Sequence, residues 1–425
     1  MDNKNVFIAI ALSLSVLLFW SAFFETPKPL NESLVQNQNI QKKNQSNNIT
    51  PNINESIKVD VVNRETSISK ASRIQIENEN VIGSISLTGA LIDDISFKNH
   101  KQDLKNGKNI EFLNPKETEN GFYVETGWTS IGNKIKVPTP DSIWSVDGNR
   151  LLNKNNPVIL KWKNGDGITF KKKIEIDEKY LFKISQEVKN STDSSVDLYP
   201  YAQITRNKIP DDIQNFYISH EGFIGVFDEE LKEDDYDDIQ DKKIVREADK
   251  GWFGITDKYW IAALVPKKGE NFKSTFLYKD GFKANYILNN PTTVNPSSTN
   301  SNEVKLFVAA KEAQTIDTYA AAEEIEKFDL AIDWGWFYFF TKPLFFIIDY
   351  LFKLTGNFGI AIVLITLAIR VLFFPLASYS FRSMAKMKAL QPEMVRLKDV
   401  HKEDKIKLQQ EMMALYKKEK VNPAS

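Results

Sequence analysis

The rhythm of hydrophobic and polar positions changes several times along the chain, and each change marks a different kind of element. Val6 to Phe24 is a run of 19 residues without a charge, VFIAIALSLSVLLFWSAFF. As a helix it spans about 28 Å, close to a bilayer's hydrocarbon core. From about Thr26 to Ser56 the chain is rich in Asn and Gln with scattered Pro and has no apolar period, which predicts a flexible linker. Between about Ile57 and Asp329, apolar runs of strand length alternate with turn residues: Lys58–Val62, Ile82–Leu87, Val158–Trp162, Ile168–Ile176, Leu181–Val188, Val196–Ile204, Tyr259–Val265 and Val304–Ala309. Phe182, Ile184 and Val188 share one parity, as one face of a strand requires. Asn164-Gly165-Asp166-Gly167 stands between two such runs as a hairpin signal. Many strands and few helical stretches predict a large antiparallel sandwich.

The pattern turns helical at the end. Trp334 to Leu354 is almost wholly aromatic or aliphatic, yet Lys342, Asp349 and Lys353 are spaced by 7 and 4 residues. That spacing puts the three on one face within about 40°. A narrow charged stripe on a greasy helix predicts an amphipathic helix lying in the membrane interface, with Trp334 and Trp336 as belt anchors. The alternative is the first half of a membrane hairpin. Pro343 is expected to bend or start this helix. Gly356 to Ala377 carries one charge in 22 residues, Arg370, and is long enough to span. Beyond it, Phe381, Met384, Met387, Met394 and Leu397, then Leu408, Met412 and Leu415, recur at helical spacing around a polar break at Asp399–Asp404. These predict two antiparallel helices, the first kinked at Pro392.

Composition adds orientation. The chain holds 55 basic and 56 acidic residues, and its mean hydropathy of -0.35 describes a largely water-soluble whole. Residues 378–425 hold 11 Lys/Arg against 6 Asp/Glu, so the net charge is +5 there and -6 elsewhere. Basic residues beside a membrane segment mark its cytoplasmic side, which puts the tail inside and the sandwich outside. A cleaved signal peptide needs a small-x-small site, and Ser21-Ala22-Phe23-Phe24-Glu25 fits one poorly, so the first run is read as an uncleaved anchor. The chain has no cysteine, which removes disulfides, thiol catalysis and cysteine metal sites. The acidic run Asp228–Asp241 lacks the glycine and ligand order of a calcium loop and is read as a solvated surface loop. No cofactor, metal or nucleic-acid motif stands out.

Arg370 carries the most information. A charge at the bilayer centre costs ~2.5–3.5 kcal/mol on insertion scales, and such residues usually face a water-filled cavity. Snorkelling to the inner headgroups is the alternative. Six of the seven residues after Arg370 are apolar and the seventh is Pro375, and Thr366 lies one turn earlier on the same face. A polar patch inside an apolar helix suggests a groove open to the cytoplasm whose fixed positive charge attracts acidic or polar segments of another chain.

Longer matches then come together: Ser383-Met384-Ala385-Lys386-Met387, Leu390-Gln391-Pro392, Gln410 to Tyr416, Glu419-Lys420-Val421-Asn422-Pro423, and in the middle Leu198-Tyr199-Pro200-Tyr201-Ala202 and Gly251-Trp252-Phe253-Gly254-Ile255. Through these the chain resembles the family of YidC, Oxa and Alb insertases, in its Gram-negative form. The resemblance implies a mixed membrane protein of the bacterial inner membrane. Its parts are an N-terminal transmembrane anchor (1–25), a linker (26–56), an all-β periplasmic super-sandwich (57–330), an interfacial amphipathic helix (331–354), a transmembrane helix of the insertase core (355–377) and a cytoplasmic helical hairpin (378–425). It implies insertion and folding of membrane proteins, alone or with the Sec translocon, with Arg370 and Thr366 in the substrate groove. Implied partners are nascent membrane proteins, SecYEG and SecDF, the ribosome or a signal-recognition receptor, and the lipid bilayer. Family members continue past the Asn-Pro motif into further membrane helices, so a chain ending at Ser425 is expected to be C-terminally truncated. The rival from another class is an anchored periplasmic sugar-binding protein or mutarotase-like enzyme. Such an enzyme needs a general acid and base, and the three histidines, His100, His220 and His401, form no evident set with carboxylates.

Overall fold

The computed structural model describes residues 61–419, apart from 104–106, 134, 212, 214–218 and 403. The predicted first helix, the linker, nearly all of the predicted strand Lys58–Val62 and the motif residues from Lys420 onward lie outside the described residues.

Two large sheets pack face to face over one apolar core. The eleven-stranded sheet runs in the order Ile244–Ala248, Phe272–Tyr278, Phe282–Leu288, Val196–Arg206, Phe122–Thr129, Leu91–Lys101, Val81–Ser86, Arg73–Glu77 and Leu151–Leu152, with Thr292–Val294 and Asn109–Leu113 pairing off this path. The nine-stranded sheet runs Glu230–Asp234, Gly222–Phe227, Gly251–Thr256, Trp260–Pro266, Thr299–Ala310, Leu181–Asn190, Ile168–Ile176, Val158–Lys163 and Ser145–Asp147. Among the described strands, the pairing of Arg73–Glu77 with Leu151–Leu152 is parallel and the others are antiparallel. Period-two alternation produces this arrangement. In Ile168–Ile176, alternate residues starting at Ile168 are buried between the sheets, and Phe182, Ile184 and Val188 face the same core from the neighbouring strand.

The predicted hairpin forms as the sequence requires. Asn164 Oδ1 accepts from the amides of Asp166 (2.7 Å) and Ile168 (3.0 Å), and Gly165 and Gly167 take φ of 89° and 88°. The Gly251-Trp252-Phe253-Gly254-Ile255 motif also has a backbone cause. A Cβ on Gly254 would stand 1.9 Å from the Ala262 carbonyl oxygen, and Gly251 has φ 137°. Trp252 is fully buried, donates to the Glu326 carbonyl (3.2 Å) and meets Phe328 edge-on, so it anchors the segment that leaves the sandwich.

The acidic run is not a solvated loop. It forms the edge strand Glu230–Asp234 and a short helix, Tyr236–Asp241, which buries Tyr236 and Ile239. Asp234 pairs with Arg246 (2.8 Å). Two buried apolar residues at helical spacing outweighed the surrounding charge.

Six helices occur among the described residues: α1 (Arg64–Lys70), α2 (Tyr236–Asp241), α3 (Ala313–Ala322), α4 (Tyr338–Thr355), α5 (Phe358–Val400) and α6 (Lys405–Lys418). Helix α3 closes one side of the sandwich, burying Ala313, Ile316 and Tyr319 at spacings of three. The Tyr319 hydroxyl donates to Asp177 and accepts from the Tyr180 amide, which locks α3 to the strand that follows Asp177.

Candidate functional site

Helices α4 and α5 are joined by a turn that three residues set. Gly356 ends α4 in the left-handed region (φ 67°), its amide donating to the Phe352 carbonyl at 2.8 Å. Asn357 then caps α5, its side chain accepting from the Ile360 amide at 3.2 Å. Across the turn Phe352 and Phe358 meet edge-on at 5.8 Å. Pro343 does not start α4. It lies in the second turn, and the helix begins at Tyr338.

The charged stripe on α4 shares one face, as its spacing requires, and that face is turned toward the sandwich. Lys342 Nζ binds Asp317 of α3 at 3.0 Å and Asp329 at 2.8 Å. Asp349 accepts from Gln314 of α3 (2.8 Å) and pairs with Lys353 (2.8 Å), which is mostly exposed. Trp334 is half-buried beside this clamp. Its indole N–H donates to the Asp329 carbonyl (3.0 Å), its ring packs edge-on against Phe345, and the Lys342 ammonium lies 5.9 Å from the ring centre. Trp336 is the exposed member of the pair, its ring tilted by 40° to that of Phe337 with centroids 5.3 Å apart. Asp317, Asp329 and Gln314 were not legible as partners in the sequence, because packing of α3 against the sandwich places them. The flank of α4 beside this stripe exposes Phe339, Phe340, Tyr350 and Leu354.

Helix α5 is 43 residues long, about 64 Å, and among the described residues it alone is long and apolar enough to cross a membrane. Apolar side chains from Phe358 to Leu376 are exposed on nearly all sides. Arg370 is exposed among them. Thr366, four residues earlier, is exposed too, but its hydroxyl donates to the Ile362 carbonyl at 2.7 Å. The polar patch is therefore mainly Arg370, with the threonine satisfied by its own helix. The helix continues without interruption through Pro375 and Pro392 to Val400, so the first arm of the terminal hairpin is the same helix as the apolar segment. Helix α6 folds back along it, tied by the Tyr416 hydroxyl to Met394 Sδ at 3.6 Å.

Residues 73–347 match the family described as YidC periplasmic domain, and residues 350–425 match the family described as 60Kd inner membrane protein. A membrane protein insertase YidC from Pelagibacter ubique is 48% identical over 426 residues, covering all of this chain and 75% of that protein. The corresponding protein of Rickettsia rickettsii (strain Iowa) is 40% identical over 437 residues and that of Brucella melitensis 38% over 455, each covering all of this chain and 76% and 74% of the relative. The chain belongs to the YidC family of membrane protein insertases. Within that family, the sandwich corresponds to the periplasmic-domain match and α5 and α6 to the inner-membrane match. Among solved structures, a galactose mutarotase related enzyme from Lactobacillus acidophilus superposes with a TM-score of 0.41 at 12% identity, over 56% of this chain and 97% of that one. A likeness at that level supports no functional argument, so the mutarotase-like reading gains nothing from it.

Proposed function

We propose that the chain inserts and folds proteins of the inner membrane, with α5 presenting Arg370 to polar or acidic segments of a client. Membership of the YidC family supports the activity. The observation that carries the role of the site is an exposed arginine on an otherwise apolar, membrane-length helix. Holding a charge there costs a few kcal/mol of insertion energy, and a use for the charge accounts for that cost. In this reading α5 crosses the bilayer over roughly its first half, and residues 378–425 form the cytoplasmic hairpin. Helix α4 lies against the outer membrane surface with its aromatic side toward lipid. Residues 57–330 form the periplasmic domain, behind an N-terminal anchor and a linker at 1–25 and 26–56. Nascent membrane proteins are the clients, and SecYEG, SecDF, the ribosome or a signal-recognition receptor are the partners to test. No chemical reaction is assigned.

Complementation of an insertase-depleted strain tests this, scored together with the membrane level of each variant. Arg370→Ala is expected to lower client insertion by about tenfold at normal abundance. Arg370→Lys keeps most activity if charge matters and loses it if the planar guanidinium is needed. A snorkelling arginine makes both substitutions nearly silent, and full activity of the Ala variant overturns the groove role.

A further inference from the structure

A cavity of about 640 Å³ opens where the sandwich meets the chain leading to α4. That volume suits a small ligand. Its lining includes His100, Lys258, Trp260, Lys311, Glu312 and Asp333. Trp260 is held rigidly, stacked on Phe97 at 5.1 Å and edge-on to His100 at 5.2 Å. Lys258 Nζ lies 5.2 Å from the centre of the neighbouring Tyr259 ring. His100 Nε2 stands 3.6 Å from Glu312 Oε1. The Lys311 amide donates to the Tyr259 carbonyl at 2.8 Å, fixing the backbone that carries its side chain. Burial pushes the Lys311 ammonium down to about 8, against the opposing pull of Asp257, Glu221, Asp333 and Glu233.

Cations and carboxylates share this one small space around an aromatic surface. A purely anionic ligand would meet Glu312 and Asp333, and a purely cationic one would meet Lys258 and Lys311. A zwitterion satisfies both sets, and an ammonium over the Trp260 ring gains a further cation–π contact. The cavity's position narrows the choice. Glu312 is two residues from Gln314, which hydrogen-bonds Asp349 of α4, and Asp333 lies five residues before α4 begins. The cavity rim is thus tied to α4 from both sides.

We propose that this cavity takes a phosphoester bearing a primary ammonium, the phosphoethanolamine headgroup of a membrane lipid, with its phosphate on Lys258 and Lys311 and its ammonium on Glu312 and Asp333. The lipid source rests on the reading of α4 as lying against the membrane surface. The headgroup chemistry does not.

The test uses the full chain in nanodiscs of phosphatidylcholine and phosphatidylglycerol, titrated with glycerophosphoethanolamine. Saturation-transfer NMR reads the ethanolamine methylenes. Transfer is expected, reduced at least about fivefold by Lys311→Ala and by Asp333→Asn and unchanged by Lys154→Ala, a surface control outside the cavity lining. A melting midpoint for each variant separates lost binding from lost folding. Nanodiscs that contain phosphatidylethanolamine should compete the signal away. Absence of transfer with the intact chain overturns the site. Transfer that membrane phosphatidylethanolamine does not compete overturns the lipid source and the placement of α4 while leaving a site for a soluble phosphoester. Client insertion measured on the same samples reports separately on the insertase reading.

Discussion

Lys172 occupies a place that the strand pattern reserves for an apolar side chain. It follows Ile168 and Phe170 and precedes Ile174 and Ile176 on the core side of its strand, and it is 1% exposed. Its Nζ donates to the Thr126 carbonyl of the facing sheet at 2.8 Å and lies 5.1 Å from the centre of the Trp144 ring. Burial pushes the ammonium from 10.5 down to about 7, partly opposed by the charge of Glu125. The unfolded chain keeps the ordinary value. Between about 7 and 10.5 the unfolded state therefore holds a proton that the folded state has released, and the stability set by this residue rises with pH across that window. Below about 7 the buried ammonium is a constant cost. Lys172→Met is expected to raise the thermal midpoint of the detergent-solubilised chain near neutral pH, by about 1–2 kcal/mol or roughly 2–8 °C. The gain should shrink as pH approaches 10.5. Melts by circular dichroism across that range decide it, since a gain independent of pH would mean the ammonium is not desolvated. Alternation alone places Lys172 in the core, and only the packed structure supplies the carbonyl and the indole that make its burial tolerable.

At the scale of elements, the join between the sandwich and α4 depends on a cation held between two carboxylates. Lys342 bridges Asp317 on α3 and Asp329, so its removal leaves two facing negative charges, partly shielded from water, at the point where α4 docks. The loss is roughly 1–3 kcal/mol of docking energy rather than of global stability. Lys342→Ala should speed amide exchange in α4 and in the segment 323–337, leaving the protection of the strands Leu181–Asn190 and Thr299–Ala310 unchanged. Adding Asp317→Asn and Asp329→Asn should restore part of the protection, and unaltered exchange in the single variant would show the clamp to be incidental. The seven-and-four spacing that aligns Lys342, Asp349 and Lys353 is local and legible in the sequence. What the face meets is not, because Ile316 and Tyr319 turn α3 and thereby aim Asp317. Strand limits were legible wherever alternation was strict, as in Ile168–Ile176. In Asp228–Asp241 the dense charge concealed the Tyr236 and Ile239 pair. The continuity of α5 past residue 377 was hidden for a related reason. The change from uniformly apolar to amphipathic composition resembles an element boundary, whereas the backbone has no cause to break before His401. Arg370 and Thr366 stood out through their one-turn spacing, but whether the threonine faces a client or its own backbone is decided by a rotamer that composition does not encode.

For the whole molecule, lengths and charges support the proposed orientation, which can be tested directly. Helix α5 at about 64 Å is twice the hydrocarbon thickness, so the bilayer takes only one part of it. The apolar part is 358–377, and the remainder carries Arg382, Lys386, Lys388, Arg396 and Lys398. The turn at Gly356 brings α4 to the N-terminal end of α5, and the Lys342 clamp holds the sandwich to α4. The sandwich and α6 therefore flank opposite ends of the apolar segment. The net charge of +5 on residues 378–425 supports the proposed placement of the α6 end on the cytoplasmic side. Because the chain contains no cysteine, single reporters need no background removal. Ile143 on the sandwich and Ile406 on α6 are 76% and 74% exposed, so a cysteine at either place is open to reagent without disturbing a core. On intact spheroplasts a membrane-impermeant maleimide should label Ile143→Cys fully and Ile406→Cys only after lysis. Labelling of both before lysis would mean that α5 does not separate them. The reverse pattern would place the sandwich in the cytoplasm and sink the orientation, and with it the proposal that Arg370 is offered to clients from the cytoplasmic side.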